Sequence, residues 1–110
     1  VSVAPVTDWH YYDTKWAEFG MKRPIDNPEG YESTSFIKTA KNLHGALLLV
    51  HGTYDDNVHP QNSWHFIDEL VKENIQFEMM FYPMRKHGIA DDEARIHLYT
   101  KMLSFWELNL

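Results

Sequence analysis

At 110 residues, with 44% hydrophobic and 15% aromatic side chains, the chain suffices for one domain with a modest core and is too apolar for disorder. A formal charge of −6 with no basic stripe argues against a nucleic-acid partner, because phosphate binding needs clustered Lys and Arg. The lack of cysteine excludes disulfides, zinc-thiolate sites and thiol nucleophiles, and no apolar run approaches the roughly 18 residues of a membrane span.

The chain opens VSVAPV, with neither Met nor a signal-peptide pattern, and reads as a piece of something longer. Val1 to Val6 is a first strand. Thr7 and Asp8 turn into WHYYDTKW, an aromatic loop or helix. Lys22 to Ser35, with Pro24, Pro28 and Gly30, is predicted to be an irregular connection with one helical turn around Glu32 to Phe36 and no core role. Ile37 to Leu43 forms a short amphipathic turn before Gly45. Ala46 to His51 is a continuous apolar run, the mark of a strand covered on both faces. After a loop from Gly52 to His59, Pro60 suits a first helical turn. Trp64, Ile67, Leu70 and Val71 then recur at helical spacing through Glu73, and the helix ends near Asn74. Gln76 to Tyr82 is the next strand, closed by Pro83. Asp91, Asp92 and Glu93 put negative charge in the first turn of a final helix, with Ile96, Tyr99, Met102, Leu103 and Trp106 as its apolar face.

Helices alternating with apolar strands predict right-handed crossovers and a parallel sheet, an α/β fold. Ligands bind at the carboxyl ends of such strands. Asp55 and Asp56 lie in the loop after one strand, and His87 lies in the loop after the next. A carboxylate on Nδ1 would hold the imidazole in one tautomer, leaving the other nitrogen to take a proton from a hydroxyl. Either aspartate can serve. The plainer alternative, equally open on pattern alone, is that the aspartates shape a turn and cap a helix while His87 is an ordinary loop residue.

HGTYDDNVH, followed after a helix and a strand by KHGIADDEA, resembles the prolyl oligopeptidase family of serine peptidases, in particular its dipeptidyl peptidase IV branch. VAPVTDWHYYD near the start resembles the pocket-lining segment of that branch, so the resemblance runs through essentially the whole chain. It implies the carboxyl-terminal part of an α/β-hydrolase fold, parallel strands with flanking helices, in which the chain order is nucleophile, acid, His. It implies Asp55 as the acid of a Ser-His-Asp triad, His87 as its general base, and Asp56 as a neighbour that shapes the loop. Asn57 would orient the substrate backbone carbonyl. Val6, Trp9 and Tyr12 would line a pocket for the penultimate residue, where flat rings stack on a pyrrolidine. The branch pattern YYDxxY reads YYDTKW here, so Trp16 replaces the second pocket tyrosine and reshapes a pocket for Pro- or Ala-like residues.

None of Ser2, Ser33, Ser35, Ser63 and Ser104 lies in a G-x-S-x-G elbow. The resemblance therefore places the nucleophile, and a β-propeller, upstream of these residues. It implies a peptide substrate, no cofactor and no metal, and association with the rest of a parent enzyme or as a homo-oligomer. A bacterial envelope or secreted enzyme fits it. Three rivals remain: another α/β hydrolase such as an acylaminoacyl peptidase or esterase; a metal site from His51, Asp55, Asp56, His59 and His87; and an interaction module docking through Tyr99, Phe105 and Trp106.

Overall fold

The computed structural model describes residues 1–110. Three parallel strands, β1 (Ser2–Val3), β2 (Leu48–Gly52) and β3 (Glu78–Tyr82), form one sheet in that order. Four helices accompany them: α1 (Thr14–Met21), α2 (Pro28–Ser33), α3 (Gln61–Lys72) and α4 (Asp92–Asn109). Leu49 of β2 stands opposite Ser2 on one side and Met79 on the other, and Gly52 stands opposite Tyr82. All five residues of β2 are buried, as its unbroken apolar run predicts for a central parallel strand.

The run from Val1 to Val6 pairs over only two residues. Ala4 turns away at φ 48°, and its N–H makes one last bond to the Val50 carbonyl at 2.8 Å. The aromatic stretch divides into a tight turn at Trp9–Tyr11 and then α1. Asp13 starts that helix by accepting from the Trp16 N–H at 2.8 Å.

The connection from Lys22 to Ser35 is more regular and more buried than predicted. Asn27 caps α2 by accepting from the Gly30 N–H, Pro28 occupies its first turn, and the helix starts four residues before the turn expected at Glu32 to Phe36 and ends within it. Tyr31 is 1% exposed and belongs to the core. Its hydroxyl donates to the Lys22 carbonyl at 2.6 Å, which is what lets a large ring with a polar tip be buried here.

Asn74, at φ 54°, ends α3 where predicted, and the Ile75 N–H reaches back to the Leu70 carbonyl at 2.9 Å. The inner face of α3 differs from the apolar spacing. Leu70 is buried, but Trp64 and Val71 are exposed, and the other inward residues are the polar Asn62 and Ser63. Hydrogen bonds to the segment after β1 and to β2 rotate the helix this way: the Thr7 N–H donates to Asn62 Oδ1 at 3.1 Å, and Ser63 Oγ meets His51 at 2.7 Å.

A similar correction applies to α4. Ala94, Leu98 and Phe105, with Met102 beside them, pack onto Leu48, Val50, Tyr82 and Ile89 in one core cluster. Of the predicted apolar face, only Met102 joins it, while Ile96, Tyr99, Leu103 and Trp106 are exposed. The helix carries two apolar stripes at helical spacing, and periodicity cannot choose between them. Phe105, assigned to a docking face by the interaction-module reading, lies in the core.

Candidate active site

Two loops meet at the carboxyl end of the sheet, one after β2 and one after β3. Gly52 permits the approach, because a Cβ there would overlap the Arg85 and Lys86 carbonyl oxygens. The loops are then laced together: the Thr53 N–H donates to the Tyr82 carbonyl, the Tyr54 N–H to the Arg85 carbonyl, and the Met84 N–H to Thr53 Oγ1, at 2.9, 3.0 and 2.8 Å.

Asp55 sits at the centre with its side chain wholly buried. Its Oδ1 accepts from the backbone N–H groups of Asn57 (3.0 Å) and Val58 (2.9 Å), the usual device by which an aspartate turns its own loop. Its Oδ2 accepts from His87 Nδ1 at 2.8 Å. The His87 ring is 44% exposed, and its Nε2 has no hydrogen-bond partner in this chain. With Nδ1 donating to a carboxylate, a neutral ring presents a lone pair at Nε2.

Of the two aspartates, Asp55 is the one whose carboxylate contacts His87. Asp56 points to solvent and pairs with Lys86 at 2.8 Å. The Lys86 ammonium holds the Asp56 carboxyl below its ordinary range and is itself raised by it.

The His87 loop is held at both ends. Arg85 donates to both Asp91 oxygens, at 3.1 and 3.0 Å. That guanidinium, together with the Ala94 N–H that Asp91 caps, draws the Asp91 carboxyl down to about 2. Beyond His87, Ile89 adopts φ 41°, an unfavourable conformation for a β-branched residue that costs about 1–3 kcal/mol. Burial of its side chain in the core cluster offsets that strain and anchors the loop.

Trp9, Tyr12 and Trp16 form one aromatic group. The two indoles stack with centroids 5.2 Å apart and planes 17° from parallel, and the Tyr12 ring meets both edge-on. Tyr12 Oη donates to Asn57 Oδ1 at 2.7 Å, which joins the group to the acid loop. Val6 borders an apolar cleft of about 430 Å³ with Pro5, Phe36, Leu43, Leu47 and Phe66, and none of the three rings borders that cleft. The segment is pinned by Thr7 on Asn62 and by Asp8, whose Oδ2 accepts from Ser35 Oγ at 2.7 Å. Burial alone would raise the Asp8 carboxyl. The Ser35 hydroxyl and the N–H and ring of His10 outweigh it and hold the group below its ordinary range.

The residues proposed as a metal set do not converge. No three His or acidic side chains are arranged to hold an ion: His51 and His87 face Asp55, while Asp56 is turned to Lys86. Sequence reasoning underrated His51, Asn62 and Ser63, all fully buried. The signal was available, since a histidine inside an apolar strand must find polar partners.

The sequence model described as the prolyl oligopeptidase family matches residues 1–110. Among similar proteins, probable dipeptidyl-aminopeptidase B of Aspergillus oryzae is 41% identical over 111 residues, covering 99% of this chain and 12% of that protein. Dipeptidyl peptidase 4 of Bos taurus is 40% identical over 108 residues, 96% of this chain and 14% of that protein. The crystal structure of Porphyromonas gingivalis dipeptidyl peptidase 4 superposes with a TM-score of 0.96 at 44% identity, covering 98% of this chain and 15% of that one. The chain thus spans about one eighth of the curated relatives it matches. Its parallel sheet and flanking helices are part of an α/β-hydrolase fold. On the match along its full length, the chain belongs to the prolyl oligopeptidase family.

Proposed function

We propose that these 110 residues are the carboxyl-terminal part of the hydrolase domain of a longer serine peptidase that releases N-terminal dipeptides. The observation that carries this reading is the 2.8 Å bond from His87 Nδ1 to the buried Asp55 carboxylate, with Nε2 left unengaged. Asp55 is the acid and His87 the general base for a serine supplied upstream. The base takes the hydroxyl proton as the serine attacks the scissile carbonyl, then returns it to the leaving amine. By itself the chain is inactive, for want of that nucleophile.

Asn57 binds the substrate backbone. With its oxygen occupied by Tyr12, its amide N–H groups are the free donors. Trp9, Tyr12 and Trp16 form the wall against the penultimate side chain, whereas Val6, expected beside them, borders a cleft that none of these rings lines. Stacking of Trp16 on Trp9 supports a wall narrowed toward Pro- and Ala-sized residues. Comparison of Gly-Pro and Ala-Ala anilides measures this, and equal turnover of the two would sink a preference for proline. The exposed stripe Ile96, Tyr99, Leu103 and Trp106 supports association with a second copy or with the rest of the parent. A full-length protein that sediments as a monomer at micromolar concentration would contradict the homo-oligomer.

The decisive experiment compares dipeptide anilide hydrolysis by the full-length protein and by its Asp55→Asn variant. A loss of about 10⁴-fold in kcat is the expected result, since the amide no longer holds the imidazole in the reactive tautomer. Indifference to the change, or an inactive parent, would overturn the reading.

A further inference from the structure

His51 occupies the fourth position of a strand whose five residues are all buried, and it is 0% exposed. Burying an imidazole is unfavourable unless both nitrogens are satisfied. Here both are. Nδ1 lies 2.7 Å from Ser63 Oγ, and Nε2 lies 2.7 Å from the Val58 carbonyl oxygen. A carbonyl can only accept, so Nε2 carries a proton, and in the neutral ring Nδ1 accepts from the Ser63 hydroxyl. The hydrogen bonds therefore run in one direction, from Ser63 through His51 to Val58.

The far end of that chain is the acid loop. The Val58 peptide is held from both sides: its N–H donates to Asp55 Oδ1 at 2.9 Å, and its carbonyl is taken by His51. His51 Nε2 also lies 3.3 Å from Asp55 Oδ2, the oxygen that accepts from His87. The carboxylate is thus flanked by two imidazoles, one at the surface bonded to it directly and one in the core that presents the positive edge of an N–H.

We propose that His51, oriented by Ser63, is a positioning residue for the catalytic acid: it fixes the Val58 peptide, and so the Asp55 carboxylate, at the place where His87 needs it. This rests on the assignment of Asp55 and His87 made above. It goes beyond that assignment because His51 is fully buried and its polar partners are Ser63, Val58 and Asp55, not His87. A histidine kept only to fill the core would act through volume. A positioning residue acts through its Nε2–H, and the two roles separate experimentally.

The test uses the full-length protein and three variants. His51→Phe keeps a planar ring but loses the donor, leaving the Val58 carbonyl unpaired. His51→Gln restores an N–H donor at the Nε2 position. Ser63→Ala leaves the ring and its Nε2–H bond to Val58 in place but removes the hydroxyl that anchors Nδ1. For each, kcat and KM on Gly-Pro anilide are measured with the rate of labelling by a fluorophosphonate, which reads the reactivity of the nucleophilic serine whatever the substrate preference. Thermal unfolding reports the fold. Displacement of a reacting group by about 1 Å costs about 10²-fold, so kcat and the labelling rate are expected to fall by that order in His51→Phe with KM little changed. His51→Gln is expected to recover to within about tenfold of wild type, and Ser63→Ala to lose about fivefold, the worth of one neutral hydrogen bond.

Wild-type kcat and labelling in a folded His51→Phe protein overturn the proposal. If that variant does not fold, Ser63→Ala decides, and an unchanged kcat there overturns it. A wild type that labels yet hydrolyses no dipeptide anilide defeats the dipeptidyl reading alone, and the labelling rates still judge His51. A wild type inert to both reagents overturns the triad assignment and the proposal with it.

Discussion

The Tyr12 hydroxyl and the Asn57 side-chain oxygen, 45 residues apart in sequence, meet at 2.7 Å and couple the aromatic group to the loop that carries Asp55. Because the phenol donates to Oδ1, the Asn57 amide is held in one of its two orientations, with its N–H groups directed elsewhere. Tyr12→Phe removes that restraint while keeping the ring. In the full-length protein the expected outcome is a KM for Gly-Pro anilide raised about fivefold, the worth of roughly 1 kcal/mol for one hydrogen bond, with kcat nearly unchanged. An unaltered KM would separate Tyr12 from substrate positioning.

Gly52 lies so near the backbone of the histidine loop that it leaves no room for a side chain. In Gly52→Ala the added methyl meets the Arg85 and Lys86 carbonyl oxygens, so the segment leading to His87 must move. Backbone cannot yield as a flexible side chain does. We expect kcat to fall by about 10²-fold or more, the order associated with misplacing a reacting group, together with a lower unfolding midpoint. A variant with wild-type kcat would show that the two loops move together.

Asp91 gives the histidine loop an acid-sensitive tie. Its carboxyl, drawn to about 2 by Arg85 and the Ala94 N–H, stands below the 3.8 of a free group. A carboxyl depressed in the folded state contributes its full stabilisation above the unfolded value. That contribution is lost as pH falls through the folded value. The unfolding midpoint should therefore decline between about pH 4 and pH 2 more steeply in wild type than in Asp91→Asn, which keeps the cap but not the ion pair. Because the pair is exposed, high salt should shrink the difference. Parallel pH curves for the two proteins would show that Arg85 and Asp91 are not coupled in solution.

The two apolar stripes of α4 should respond differently to substitution. Leu98, inside the core cluster, is expected to lose about 2–5 kcal/mol of stability as Leu98→Ala. Ile96, on the exposed stripe, is expected to cost no more than about 0.5 kcal/mol as Ile96→Ser. Its effect should appear instead as a smaller sedimentation coefficient for the full-length protein. Denaturant unfolding together with sedimentation distinguishes the two, and a large loss of stability in Ile96→Ser would mean that the stripe packs within the molecule.

Much of the architecture was readable in the chain itself. The unbroken run from Ala46 to His51, the acidic start of the final helix at Asp91 to Glu93 and the stop at Asn74 are local features, so β2, α3 and α4 emerge where propensity and burial agree. Asp55 and His87 were legible through motif order and spacing, because successive parallel strands bring their loops to one sheet edge. What local pattern left open was which partner each group would find. Asp55 rather than Asp56 meets His87 because its carboxylate turns inward onto its own loop amides, while Lys86 draws Asp56 outward. The first turn of α3 turns polar Asn62 and Ser63 inward because Thr7 and His51 need them, and the core stripe of α4 is the one that the cluster of Leu48, Val50, Tyr82 and Ile89 selects. Each of these outcomes depends on groups far apart in sequence whose hydrogen bonds and packing must be satisfied together. Periodicity within one segment carries no information about such pairings, whereas the folded chain must satisfy every buried polar group at once.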